Sequence, residues 1–213
     1  MLKGEQPDRS GRSPANNGRN LASVLNEIAT RSPEQFGRIN EFLDAVVPST
    51  KVLASVRQDG RLEVNFQQEA TTMEIHLPAR SMSDGTVRIV ALLAAAFQRE
   101  IPTLLAIEEP ETSLQFGAVA ILMDVIGMAA IRTQVVVTTQ SPEVLDSEFV
   151  TQDNLYVVTW FRGASTVTHL LSGVREALQT HLFSAGELLL ANQLESEEAS
   201  SNSVTLFRRI HAA

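Results

Sequence analysis

From Thr86 to Trp160 the chain alternates long apolar stretches with short β-branched ones, and this alternation limits the folds open to it. Thr86 to Phe97 is almost continuously apolar through Val87, Ile89, Val90, Leu92 and Leu93, which predicts a buried helix. Thr103–Ile107 follows as a strand, Ser113–Ala130 as a helix, Gln134–Thr138 as a second strand, Pro142–Leu145 as a helix start and Leu155–Trp160 as a third strand. Strands that alternate with helices connect by right-handed crossovers. The expected architecture is α/β, a mostly parallel sheet with flanking helices. Residues 165–170 add an expected edge strand, with short helices around Val174–His181 and Gly186–Gln193.

Upstream the character differs. Residues 1–19 are rich in Gly, Pro, Asn and Arg and read as a disordered arm. Asn20 is the expected cap of a helix whose face is Leu21, Val24, Leu25 and Ile28. Ser32-Pro33-Glu34 starts a second helix, with Phe36, Ile39, Phe42, Leu43 and Val46 as its buried stripe and Pro48 as its stop. From Lys51 to Leu77 the period drops to two, with a turn at Asp59-Gly60, and predicts an antiparallel meander. The organisation expected is an arm over 1–19, one domain over 20–193 (a helical and antiparallel part, 20–80, then 81–193) and an acidic, serine-rich tail over 194–213, mobile from Glu195 to Asn202.

Composition excludes several classes. The 213 residues include no cysteine, so disulfides and thiolate metal sites are ruled out. A formal charge of -8 argues against a general nucleic-acid surface, and nothing supports nucleic-acid contact. No apolar run approaches the roughly 20 residues of a membrane span, so no membrane partner is expected, and the lack of cysteine fits a cytoplasmic protein. His76, His169, His181 and His211 show no metal-site spacing.

Three strings carry chemistry. The first strand ends in Glu108-Glu109-Pro110-Glu111. Adjacent acids at the tip of a buried strand are costly unless something cationic or reactive uses them. Glu108 is the candidate Mg²⁺ ligand and Glu109 the group that polarises an attacking water. The alternative is a solvated helix N-terminus, where acids are favoured by the dipole. The second string, Met82-Ser83-Asp84-Gly85-Thr86, precedes the apolar helix, so Ser83 and the amides of Gly85 and Thr86 suit a phosphate. Simple capping explains the same residues. In the third, Thr138-Thr139-Gln140-Ser141-Pro142, Gln140 could reach a γ-phosphate or water, whereas Ser141 and Pro142 alone make an ordinary helix start. No GxxxxGK[ST] phosphate loop occurs in the chain.

Taken in order, these strings resemble the signature, Walker B strand and switch loop of ABC-type ATPases, and more narrowly the AAA_21-like predicted ATPases of the RecF/SMC/OLD-like group. Thr86-Val87-Arg88 and Gly186-Glu187-Leu188 also match that group's strings, and the resemblance covers roughly residues 20–193. Two departures stand out: Gln115-Phe116 replaces the usual His-Pro, and Gln140 stands where many ABC ATPases have a histidine. Glutamine cannot exchange a proton as histidine does, so its role would be to orient water or phosphate.

The resemblance implies a P-loop NTPase-like fold, the ABC ATPase head, with ATP and Mg²⁺ as cofactors. Ser83, Asp84, Gly85 and Thr86 would bind nucleotide in trans, on a second head. Glu108, Glu109 and Gln140 would act in cis wherever a phosphate loop is supplied. It further implies a partner, either a Walker A-containing half or a homologous head, and hence a homo- or hetero-oligomer. The isolated chain is expected to bind ATP weakly and to hydrolyse it negligibly, because the loop's lysine and amides make most triphosphate contacts. The competing expectation is a non-hydrolysing module that docks on a full ATPase and supplies only the signature face.

Overall fold

The computed structural model describes residues 13–15, 17–56, 61–70, 73–161, 163–196 and 204–210. Most of the expected arm and the Asp59-Gly60 turn lie outside the described residues. The chain divides into two compact units, residues 1–101 with 113–121, and residues 102–112 with 122–213.

The first unit opens with α1 (Leu21–Arg31) and α2 (Pro33–Val46). Leu21, Val24, Leu25 and Ile28 are all buried, as their spacing requires. In α2 only Ile39 and Leu43 are fully enclosed. Phe42 lies half-buried and stacks on Phe97 with ring centroids 5.8 Å apart, and Arg38 lies over the same ring. Asn20 does not cap α1 through its side chain. Its amide instead ties down the preceding loop, accepting from the Ala15 amide (2.7 Å) and donating to the Ser13 carbonyl (2.9 Å). An Asn side chain near its own backbone has that option, and here it wins. The meander forms as β1 (Thr50–Val56), β2 (Leu62–Ala70) and β3 (Met73–Pro78), antiparallel, with Val52 opposite Phe66 in the core. α3 (Asp84–Ala96) follows a 3₁₀ turn and is buried along Val87, Ile89, Val90, Leu93 and Ala94.

The second unit holds β4 (Leu104–Glu108), β5 (Gln134–Thr139), α5 (Pro142–Leu145), β6 (Leu155–Phe161), β7 (Ala164–His169), α6 (Ser172–Gln179), α7 (Ala185–Leu190) and β8 (Val204–Ile210). The unit boundary falls within α4 (Phe116–Ala130). The strand order is β4-β5-β8-β6-β7. β4 and β5 pair in parallel, whereas β8 runs antiparallel to both β5 and β6. The strands β4, β5 and β6 therefore point one way, as alternation with helices demands, but the sheet is mixed. The wedge comes from the segment read as tail. The Glu and Ser residues from Glu195 onward dominate that reading, yet Val204-Thr205-Leu206-Phe207 is a run of strand formers. Residues 197–203 lie outside the described residues; just before them, Leu194 and Ser196 are buried and Ser196 bridges to Leu170. Leu194 joins Leu145, Leu155, Val157, Leu170, Ala185 and Leu188 in the unit's core.

Candidate functional site

In the first unit, Ser83 is the N-cap of α3, in extended backbone conformation. Its hydroxyl accepts from the Thr86 amide at 3.0 Å and shares a 2.8 Å hydrogen bond with the Thr86 hydroxyl. Asp84 sits in the first turn, where the helix dipole favours an acid. Gly85 is buried, and a Cβ there would collide with the Ser113 carbonyl. The string Ser83-Asp84-Gly85-Thr86 thus makes a satisfied helix start that also admits another backbone segment. Ser83 and Asp84 are exposed at the positive end of a 13-residue helix.

In the second unit, the β4–β5 register sets Glu108 opposite Thr138. The ladder continues one step further, since the Glu109 amide donates to the Thr138 carbonyl at 2.8 Å. Gln140 is the first residue beyond β5. Glu108, Glu109 and Gln140 are all exposed, and all three emerge at the carboxyl ends of two neighbouring parallel strands. That is where ligands gather in open α/β sheets. The structure therefore brings these three together. Ser83 to Thr86 are built in the other unit.

The turn after β4 is strained. Glu109 has φ 41 and Ser113 φ 67, left-handed values that cost a non-glycine residue on the order of 1 kcal/mol or more. The expected helix start at Ser113 is accordingly delayed to Phe116. Thr112 holds the turn from within: its amide donates to the Glu109 carbonyl (3.1 Å) and its hydroxyl to Glu109 Oε2 (3.4 Å). Pro110 is buried.

Sequence reasoning assigned no role to Glu111. Its Oε1 accepts from the Thr139 hydroxyl at 2.6 Å, and that hydroxyl in turn accepts from the Ser141 amide at 2.9 Å. Ser141 then caps α5, accepting from the Val144 amide, with Pro142 in the first turn. No spacing rule links residues 28 apart, so only the strand register exposes the pair. Nearby, burial pushes the Glu143 carboxyl above its ordinary value. The Gly186-Glu187-Leu188 string has a physical basis as well. The Gly186 amide donates to Asp146 Oδ1 at 2.7 Å, a Cβ at Gly186 would strike that carboxylate, and Ser184 with Glu187 forms a capping box on α7.

Among the described residues, no group of three or more His, Asp or Glu side chains could hold a metal alone. Two carboxylates offering hard oxygens still fit Mg²⁺, which is usually held by one or two carboxylates together with substrate phosphates. The triphosphate itself is not matched by any loop in the sequence. No helix among the described residues is long and apolar enough to cross a membrane.

A family model described as "AAA domain, putative AbiEii toxin, Type IV TA system" matches residues 5–146. No curated protein matches the chain. Among solved structures the chain is similar to one described for ATP-driven dimerization and DNA-stimulated activation of SMC ATPases, at TM-score 0.51 and 18% identity, covering 74% of this chain and 96% of that one. The Smc head domain with a coiled coil and joint from Pyrococcus yayanosii matches at TM-score 0.52 and 18% identity, over 74% of this chain and 31% of that one. The Smc head with an extended coiled coil bound to the C-terminal domain of ScpA, from Pyrococcus furiosus, matches at TM-score 0.53 and 16% identity, over 78% and 42%. The chain thus spans nearly all of the first structure and less than half of the other two. These likenesses establish an SMC-head type of P-loop NTPase fold.

Proposed function

The chain belongs to the AAA_21 family of AAA domains, and on that premise we propose that it is the signature and Walker B half of an ABC-type ATPase head. Membership makes its role ATPase-related and implies nucleotide binding in general. The finer reading is supported most by one observation: the Glu109 amide bonded to the Thr138 carbonyl, which holds two acids and Gln140 at adjacent strand tips.

In this reading Glu109 accepts a proton from, or polarises, the attacking water, and Gln140 orients that water through its amide. Glu108 is the protein ligand for Mg²⁺. When bound with nucleotide, the ion would neutralise charge on the phosphate oxygens. Ser83, Asp84, Gly85 and Thr86 form the signature end of α3 and meet the phosphates of a nucleotide held by a second head. A phosphate loop comes from a segment outside these 213 residues, and the pairing with a second head makes the functional unit an oligomer. The SMC structure described for ATP-driven dimerization is a precedent for such pairing in that protein. A cytoplasmic location suits this role.

The test is reconstitution. The pure chain should give weak ATP affinity in calorimetry. Co-expressed with a phosphate-loop half from a related head, it should release phosphate, and Glu109→Gln should then cut kcat by about 10² to 10⁴. The lack of a phosphate loop in the sequence favours one second reading, a non-hydrolysing module that lends only its Ser83–Thr86 face. Under it, Glu109→Gln leaves the turnover of the complex unchanged.

A further inference from the structure

We propose that Glu111 is a positioning residue: through Thr139 it clamps the acidic turn after β4 to the turn after β5, and so fixes Glu109 relative to Gln140. The inference rests on the reading of Glu109 and Gln140 as the water-handling pair.

Beside the 3.4 Å bond from the Thr112 hydroxyl to Glu109 Oε2, three hydrogen bonds bear on how the turn at 109–112 closes and is anchored. Two are backbone bonds, from the Glu109 amide to the Thr138 carbonyl and from the Thr112 amide to the Glu109 carbonyl. Each is needed simply to close the strand end. The third runs from the Thr139 hydroxyl to Glu111 Oε1 and joins the two turns through side chains. Its 2.6 Å length is that of a charge-assisted O–H···O⁻ bond, roughly twice as strong as a neutral one. Thr139 is almost fully buried, so water competes little for the hydroxyl. The same hydroxyl accepts from the Ser141 amide. Gln140 is therefore flanked by two residues tied to one oxygen, and that oxygen is tied to the acidic turn.

Packing alone does not account for the choice of an acid. Glu111 Oε2 is buried and has no hydrogen-bond partner among the described residues, and neither has Thr138 Oγ1. A buried, unpaired carboxylate oxygen is costly, and a smaller or neutral side chain would avoid that cost. The clamp also acts where the backbone is under strain. Glu109 keeps φ 41, a conformation it leaves unless its surroundings over-determine it. Relaxing Glu109 would swing its carboxylate away from the β5 tip.

The test uses the full chain and local amide hydrogen exchange. Thr139→Val removes the hydroxyl at nearly constant volume, Thr139→Ser keeps it, and Glu111→Ala removes the other partner. Thr139→Val and Glu111→Ala should each speed exchange at the Glu109 and Ser141 amides about tenfold, with α3 amides unchanged, and Thr139→Ser should stay near wild type. In the reconstituted head, Thr139→Val should lower kcat and leave KM unchanged. Wild-type exchange at Glu109 and Ser141 in both Thr139→Val and Glu111→Ala overturns the clamp. So does equal loss of protection in Thr139→Ser, or a uniform rise across the chain. Accelerated local exchange in a head that never hydrolyses ATP upholds the clamp and removes the ATPase reading instead.

Discussion

The turn that opens α3 and the turn that closes β4 carry the two best strings in the sequence, and they are built on opposite principles. At Ser83–Thr86 every conformational choice agrees with folding. The serine caps, the acid sits at the positive helix end, and the glycine makes room for the Ser113 carbonyl. At Glu108–Ser113 folding is opposed. Two non-glycine residues take left-handed φ values, and two exposed acids stand side by side at a strand end. A relaxed turn is stable on its own account, whether or not it also meets a ligand. A strained one has to be held by its neighbours, and that is the arrangement expected where geometry serves chemistry.

Substitutions can break this contrast. The largest stability effect should come from Gly85→Ala, which forces a methyl group against a backbone carbonyl and should cost about 1–3 kcal/mol in denaturant unfolding. A smaller and opposite effect is expected at the strained turn. Glu109→Gly relieves the left-handed penalty and should stabilise the chain by about 1 kcal/mol, while removing the carboxylate that the ATPase reading requires. If Glu109→Gly destabilises instead, the strain is not what sets these turns apart. The smallest effect belongs to Glu143 in the first turn of α5. Its folded-state carboxyl is raised by burial, so the ionised form costs stability above that raised value and the cost disappears at low pH, where folded and unfolded states are both protonated. Glu143→Gln should therefore stabilise slightly at neutral pH, with the gain fading on acidification. Paired unfolding curves at two pH values measure it.

The sequence was readable where structure is local. The 3–4 spacing of Leu21, Val24, Leu25 and Ile28, the proline after Ser32 and the apolar run after Thr86 all led to the observed helices. The acids did lie at a strand end, beside the Thr138–Gln140 turn. It was less readable where one residue had two local choices. Asn20 turned to the loop behind it, and Trp160, an apolar residue at the end of the third expected strand, is exposed. It failed where partners are distant, as with β8 between β5 and β6 and the bond from Thr139 to Glu111.

Up to residue 193 the sequence by itself determined most of the helices and strands, which strand tips carry acids or a glutamine, and which helix start carries a serine cap. Periodicity, capping and turn chemistry act within a few residues, so a single sequence displays them. Only the tertiary structure decided that Glu108 faces Thr138 and that a hydroxyl links Glu111 to Ser141. The same holds for the two co-directed strands that share an antiparallel neighbour. Strand register is a choice among many pairings with nearly equal backbone hydrogen bonding. It is settled by which side chains the assembled core can bury, and no local pattern records that outcome.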